Sequence, residues 1–147
     1  MSKEEQLAVK VKRFIKAPRK RVYAAWTDPA QLTKWFGPAT VVTRKLTADV
    51  RVGGSFHWEC TNPEGEEVII SGEYREVVPD RRIVFTWRLE EDDDWKDHNS
   101  MVTVEFFDQT DGTEVRLTHE NLPTKPSRDD HEQGWNSVLD KLDEFTV

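Results

Sequence analysis

From residue 41 to residue 119 the sequence is a succession of short runs in which apolar and polar residues alternate, each closed by turn-forming residues. Residues 41–50 form one irregular segment, and Gly53-Gly54 then turns into Phe56, Trp58 and Cys60, which alternate with His57 and Glu59. Asn62-Pro63-Glu64-Gly65 has hairpin chemistry and leads into an apolar run over 68–78. Pro79-Asp80 turns the chain into Ile83, Phe85 and Trp87, after which the acidic stretch 90–94 reads as a loop. Val102, Val104 and Phe106 alternate with Thr103, Glu105 and Phe107, and Asp111-Gly112 turns into Val115, Leu117 and His119. Tight turns join antiparallel neighbours, because parallel strands need a long crossover. A chain punctuated this way is an antiparallel meander.

Both flanks of the meander have a different period. Before it, Leu7, Val9, Val11, Arg13 and Ile15 alternate with Ala8, Lys10, Lys12 and Phe14, a first strand that Pro18 stops. Val22, Tyr23 and Trp26 then stand at helical spacing within 19–27. Asp28 can cap a second short helix with Pro29 in its first turn; it carries Leu32, Trp35 and Phe36 and ends at Gly37-Pro38. After the meander, His131, Trp135, Val138, Leu142 and Phe145 recur at spacings of four, three, four and three, with Leu139 widening the stripe. Ser127 is the expected N-cap, and Asp129 and Asp130 suit the positive end of the helix. A helix over 127–145 is roughly 28 Å long, enough to cross a sheet. The expectation is a single α+β domain over residues 1–147: a curved antiparallel sheet of about seven strands around a long C-terminal helix, with two short helices after the first strand. Six Trp and seven Phe supply its core.

The same layout, strand, two short helices, six-strand meander and long helix, is that of the helix-grip fold, and stretches of the chain resemble one family that has it. They are 17–29 (Ala-Pro-Arg-Lys-Arg-Val-Tyr-Ala-Ala-Trp-Thr-Asp-Pro), Leu32 to Phe36, Val52 to Phe56, Gly72-Glu73-Tyr74, Pro79 to Trp87, Thr113 to His119 and His131 to Trp135. Together they resemble the activator-of-Hsp90-ATPase-homologue-like (AHSA1-like) branch of the START/Bet v 1-like (SRPBCC) superfamily, over about residues 10–145. The resemblance implies a cavity between the inner sheet face and the long helix, with the short helices closing one end. The superfamily includes lipid and polyphenol carriers, aromatic polyketide cyclases and a co-chaperone domain, so it leaves the activity open. The co-chaperone carries a separate N-terminal domain for which 147 residues leave no room, and this counts against Hsp90 stimulation.

Charge and cysteine usage narrow the partners. A net charge of −7 argues against nucleic acid, whose phosphates need a positive surface. Residues 1–21 run the other way, with eight Lys/Arg against two acids. Lys10, Lys12, Arg13, Lys16, Arg19, Lys20 and Arg21 therefore read either as a stripe for an acidic protein partner or as a solvated strand edge. Cys60 is alone, so no internal disulfide forms. Residues 1–6 lack the apolar run of a signal peptide, and no stretch reaches a membrane span. A cytoplasmic protein is expected.

Candidate chemistry is sparse. The four histidines, His57, His98, His119 and His131, stand 41, 21 and 12 residues apart, which matches no compact metal-ligand spacing, and no cofactor fingerprint is present. His119 shares the phase of Val115 and Leu117 and so points inward, either to orient a ligand or as a satisfied core residue. Gly134 costs about 1 kcal/mol in a helix interior and implies close approach of a strand or of a ligand. Trp95, behind the acidic run, reads as a loop or rim residue. The expected ligand site is lined by Trp35, Phe36, Phe56, Trp58, Trp87, His119, Trp135, Val138 and Leu142 and takes a small hydrophobic or aromatic molecule, with neither metal nor cofactor. The alternatives are a cyclase- or hydrolase-like enzyme pairing His119 with Glu59 or Glu73, and a chaperone-associated module docking through the basic stripe.

Overall fold

The computed structural model describes residues 7–147; the reading of residues 1–6 lies outside the described residues. The first strand is β1 (Val9–Ile15), followed by α1 (Arg19–Thr27) and α2 (Pro29–Trp35). The meander is β2 (Val42–Ala48), β3 (Ser55–Thr61), β4 (Glu67–Val78), β5 (Arg82–Leu89), β6 (Ser100–Gln109) and β7 (Gly112–Glu120), and α3 (Lys125–Thr146) closes the chain. The sheet order is β1-β7-β6-β5-β4-β3-β2, with every neighbouring pair antiparallel. The sheet curls into a half-barrel around α3, as the alternation and the helix-grip layout implied.

Two irregularities help it curl. The β2–β3 register shifts at Arg44 and the β4–β5 register at Arg75. Each inserts an unpaired residue, and bulges of this kind increase local twist and bend the strand. The irregular segment of the sequence is thus a strand with a bulge in it. Elsewhere alternation carries one face inward: Phe56, Trp58 and Cys60; Ile83, Phe85 and Trp87; Val102, Val104 and Phe106; Val115, Leu117 and His119 are all buried. From the other side α3 buries Trp135, Val138, Leu139 and Leu142.

The short helices follow their local chemistry. Asp28 Oδ1 accepts from the Ala30 N–H at 3.1 Å, and Pro29 fills the first helical position. Gly37 ends the unit at φ +113°, a backbone that favours glycine, and a Cβ there would meet Trp58 Cζ2 at 3.0 Å. The long helix begins earlier than expected. Thr124, not Ser127, is the N-cap: its hydroxyl accepts from the Ser127 N–H at 3.2 Å. Pro126 fits in the first turn, where no intrahelical donor is needed, so Ser127 is already helical. Trp95 also corrects its expectation. It ends a short 3-10 turn (Asp93–Trp95) and is only 1% exposed, its ring centroid 5.8 Å from that of His131.

Candidate functional site

A cavity of about 240 Å³ lies between the middle strands and α3, walled chiefly by Phe36, Trp58, Trp87, His131, Trp135 and Val138. Phe36 enters from the C-terminal end of α2, where it meets Trp58 and Trp135 edge-on at 5.1 and 6.1 Å between centroids. Trp58 points inward from β3 and donates its indole N–H to Thr43 Oγ1 at 3.0 Å. Trp87, on β5, is held from below by stacking on Phe56 at 5.8 Å. Edge-to-face and offset contacts each add roughly 0.5–1.5 kcal/mol beyond burial, so these rings are mutually fixed. Cys60, Val68, Ile70 and Leu89 complete the apolar wall, and Asn62 and Asp130 stand on its rim.

Behind this wall a closed hydrogen-bond relay locks the two central tryptophans. The Trp135 indole donates to His119 Nδ1 at 2.9 Å, so Nδ1 carries the lone pair and Nε2 carries the proton. Nε2–H donates to Ser100 Oγ at 2.7 Å, and the Ser100 hydroxyl donates to the Trp87 carbonyl at 2.7 Å. The Trp87 indole donates to His131 Nε2 at 3.2 Å, and His131 Nδ1–H donates to the Ser127 carbonyl at 2.7 Å. Both imidazoles are therefore neutral, with both nitrogens engaged. Burial drives the pKa of His119 well below its ordinary value, with the nearby His131 adding to the effect; burial lowers that of His131 too. The histidine rings lie 5.0 Å apart, a meeting that their sequence separation of 12 did not announce. Their lone pairs are spent on indole donors, and among the described residues no group of three or more His, Cys, Asp or Glu side chains is arranged to hold a metal ion.

The expected site residues separate into wall and support. Phe36, Trp58, Trp87, Trp135 and Val138 line the cavity; Trp35, Phe56, His119 and Leu142 do not. Trp35 turns back on α1, its indole donating to the Ala25 carbonyl at 2.9 Å. Phe56 lies under Trp87, and His119 is sealed behind Trp135 with 0% exposure. Leu142 is one turn beyond Val138 and is buried in the core past the cavity's end. Neither proposed carboxylate partner reaches His119. Glu59 and Glu73 alternate with the buried Trp58 and Tyr74, and so project to the other face. There Glu59 pairs with His57 Nε2 at 2.9 Å, whose hydrogen bond lowers the Glu59 pKa, and Glu73 lies beside Arg75.

Gly134 lines the cavity, and its nearest neighbour is neither strand nor sheet. A Cβ there would sit 3.7 Å from Pro38 Cγ, an ordinary contact. Gly134→Ala is therefore expected to stabilise the fold by about 0.5–1 kcal/mol, the helix-propensity gain, while adding a methyl to the cavity wall. Chemical denaturation checks this, and an unchanged or lowered midpoint would contradict it. Cys60, on the opposite wall, is 3% exposed, and burial pushes its thiol up to about 11. Its thiolate fraction near neutral pH is cut by roughly two orders of magnitude against a free cysteine. Alkylation of the folded protein by iodoacetamide is expected to be slower by at least that factor than in denaturant, and comparable rates would contradict the placement.

The basic stripe is partly consumed inside the fold. Arg13 pairs with Asp140 on α3, Arg19 with Asp108 at 3.4 Å, and Arg21 bonds Gln31 and the Phe145 carbonyl. Lys10, Lys12, Lys16 and Lys20 remain exposed. No described helix is long and apolar enough to cross a membrane.

Set against known proteins, residues 16–146 match the family model described as activator of Hsp90 ATPase homolog 1-like protein. The chain is similar to the human activator of 90 kDa heat shock protein ATPase homolog 1, 28% identical over 114 residues; the alignment covers 74% of this chain and 30% of that protein's length. Among solved structures it is similar to a protein from Chromobacterium violaceum at 27% identity and a TM-score of 0.83, covering 95% of this chain and 96% of that one. The AHSA1 protein from Silicibacter pomeroyi is 26% identical with a TM-score of 0.77, covering 93% and 95%.

Proposed function

This chain belongs to the activator of Hsp90 ATPase homolog 1-like family, a ligand-binding scaffold by fold, and from that premise we propose that it is a non-catalytic binding protein for a small apolar or aromatic molecule. One observation carries the reading: the aromatic-walled cavity of about 240 Å³ beside α3. It is open to solvent on one side, and a ligand seated in it takes its carbon-lined wall out of water. The volume lies below the roughly 300–1,000 Å³ common for drug-sized ligands. It suits a body of one or two rings better than a sterol or a long acyl chain. The engaged nitrogens of His119 support binding over proton transfer, since a general base needs a free lone pair within reach of substrate.

Occupying the cavity from within tests this reading. Val138→Phe places a ring in the void, and its overpacking cost is about 1–3 kcal/mol, which leaves a folded protein. The wild type is expected to quench or shift its tryptophan fluorescence saturably with 1-naphthylmethanol, and the variant to bind at least about tenfold more weakly. Equal binding by the two would place the probe elsewhere and overturn the assignment. A second reading, docking onto an acidic protein, is favoured by the exposure of Lys10, Lys12, Lys16 and Lys20. The human relative's name describes activation of a 90 kDa heat shock protein ATPase. Neutralising the four lysines would abolish capture of such a partner if this reading holds and leave it unchanged if not.

A further inference from the structure

Resting on that cavity reading, we infer that segment 37–41, which joins the end of α2 to β2, is the movable side of the cavity's mouth, and that Ser137 on α3 is its latch. Depth divides the cavity wall into a floor and a mouth. The aromatic floor is buried, whereas Pro38, Val41, Asn62, Val68, Asp130 and Gly134 line the same space while partly or fully exposed, so they border its solvent side. Three parts of the fold supply this border. Asn62 and Val68 stand where β3 and β4 are joined, fixed by the ladder pairs Cys60↔Val68 and Thr61↔Glu67. Asp130 and Gly134 ride on the regular backbone of α3. Pro38 and Val41 belong to neither a ladder nor a helix.

Segment 37–41 is held firmly at its ends and lightly between them. Just before it, Phe36 is wedged among Trp26, Trp58 and Trp135 at 5.9, 5.1 and 6.1 Å between centroids. Just after it, Thr43 Oγ1 accepts the Trp58 indole N–H. Inside it, the Val41 N–H donates to the Pro38 carbonyl at 3.1 Å, a bond that folds the segment on itself and ties it to nothing else. Among the described residues one hydrogen bond joins it to α3: the Ala39 N–H donates to Ser137 Oγ at 2.9 Å. A lone exposed hydrogen bond adds little net stability, and segments with few bonds open locally long before the fold does. Gly37, at φ +113°, supplies a hinge at one end. Gly134 faces Pro38 across the seam between segment and helix. A Cβ there would meet Pro38 Cγ at 3.7 Å and nothing nearer, so no steric demand accounts for a glycine that weakens the helix interior. Its consequence is mechanical: an alanine methyl would rest on Pro38 and hold the segment to α3, whereas glycine leaves the Ser137 bond to hold the seam. A rigid ring body enters where the border yields.

Stopped-flow tryptophan fluorescence with 1-naphthylmethanol reads both rate constants. A door that must open in free and loaded protein alike speeds both directions when its latch is weakened, and the effect cancels in the affinity. Ser137→Ala, outside the cavity wall, is expected to raise both rate constants about threefold or more and to keep the Kd within about twofold. Ala39→Cys/Ser137→Cys joins the same two positions covalently. Oxidised, with the bond verified by mass, it should slow both rates by about tenfold or more, and reduction should restore them. Unchanged rates in Ser137→Ala, a change in dissociation alone, or an oxidised pair that exchanges ligand like the wild type overturns the inference. Each routes the ligand past a fixed segment 37–41 and leaves the cavity reading intact. No saturable binding by the wild type overturns the cavity reading, and the inference with it.

Discussion

Below about pH 6 the folded protein is expected to lose stability through His119 at up to about 1.4 kcal/mol per pH unit, the slope for one extra proton bound by the unfolded chain. In the unfolded chain this imidazole protonates near 6.5, but in the fold burial holds it neutral far below that. Between the two values the unfolded state binds the additional proton, so stability is complete above 6.5 and falls as pH falls. The geometry gives the reason in atoms. A proton on Nδ1 would face the Trp135 indole N–H, donor against donor, at 0% exposure. His131 adds to the loss in the same direction, because a proton on Nε2 would oppose the Trp87 indole in the same way. Urea denaturation at pH 7.5, 6.5 and 5.5 (chosen to bracket the unfolded value) measures the slope. His119→Gln can accept from Trp135 and donate to Ser100 without titrating, and should show a distinctly flatter profile. A wild type equally stable across this range, or a variant with the same slope, would contradict the relay.

Gly72→Ala is expected to destabilise by about 3 kcal/mol or more, beyond the usual range of overpacking, because the obstruction is backbone. A Cβ at Gly72 would lie 1.9 Å from the Thr86 carbonyl oxygen and 2.9 Å from its carbon. No rotamer relieves that; β4 and β5 would have to part. They would part beside Trp87 and at the Glu73 N–H, which donates to Thr86 Oγ1 at 2.8 Å in place of a regular ladder bond. Gly134→Ala, where the added carbon meets only Pro38, is the contrasting case. A Gly72→Ala midpoint within about 1 kcal/mol of wild type would show that β4 and β5 slide past each other more freely than this close approach allows.

What was legible in the sequence followed from local chemistry. Alternation and turn pairs specify which residues face inward, and Asp28-Pro29 marks a helix start by its own hydrogen bonding, so the meander, both short helices and the α3 stripe could be read directly. Phase, however, specifies a face and not a depth. Trp58 and Phe56 are in phase on β3, yet one lines the cavity and the other supports Trp87. His119 pointed inward as its phase required, but its partners come from β6 and α3, and a long-range register is not encoded in any window of β7. Trp95 sits among charges that advertise solvent; one aromatic residue in a polar run has no period to reveal that it is buried. The bulges at Arg44 and Arg75 carry no glycine to mark them, and the basic residues gave no sign that Arg13 and Arg21 reach across to α3.

The proposed function depends on the cavity, and the six indole N–H groups of the chain report on it separately. In a ¹H–¹⁵N correlation spectrum titrated with 1-naphthylmethanol, the indoles of Trp58, Trp87 and Trp135, which wall the cavity, are expected to shift saturably together. Those of Trp26 and Trp35, packed against each other at 4.9 Å on the far side of the wall residue Phe36, should shift less. Shifts confined to Trp26 and Trp35, or no shift at any indole up to the probe's solubility, would contradict a ligand-holding cavity in this fold.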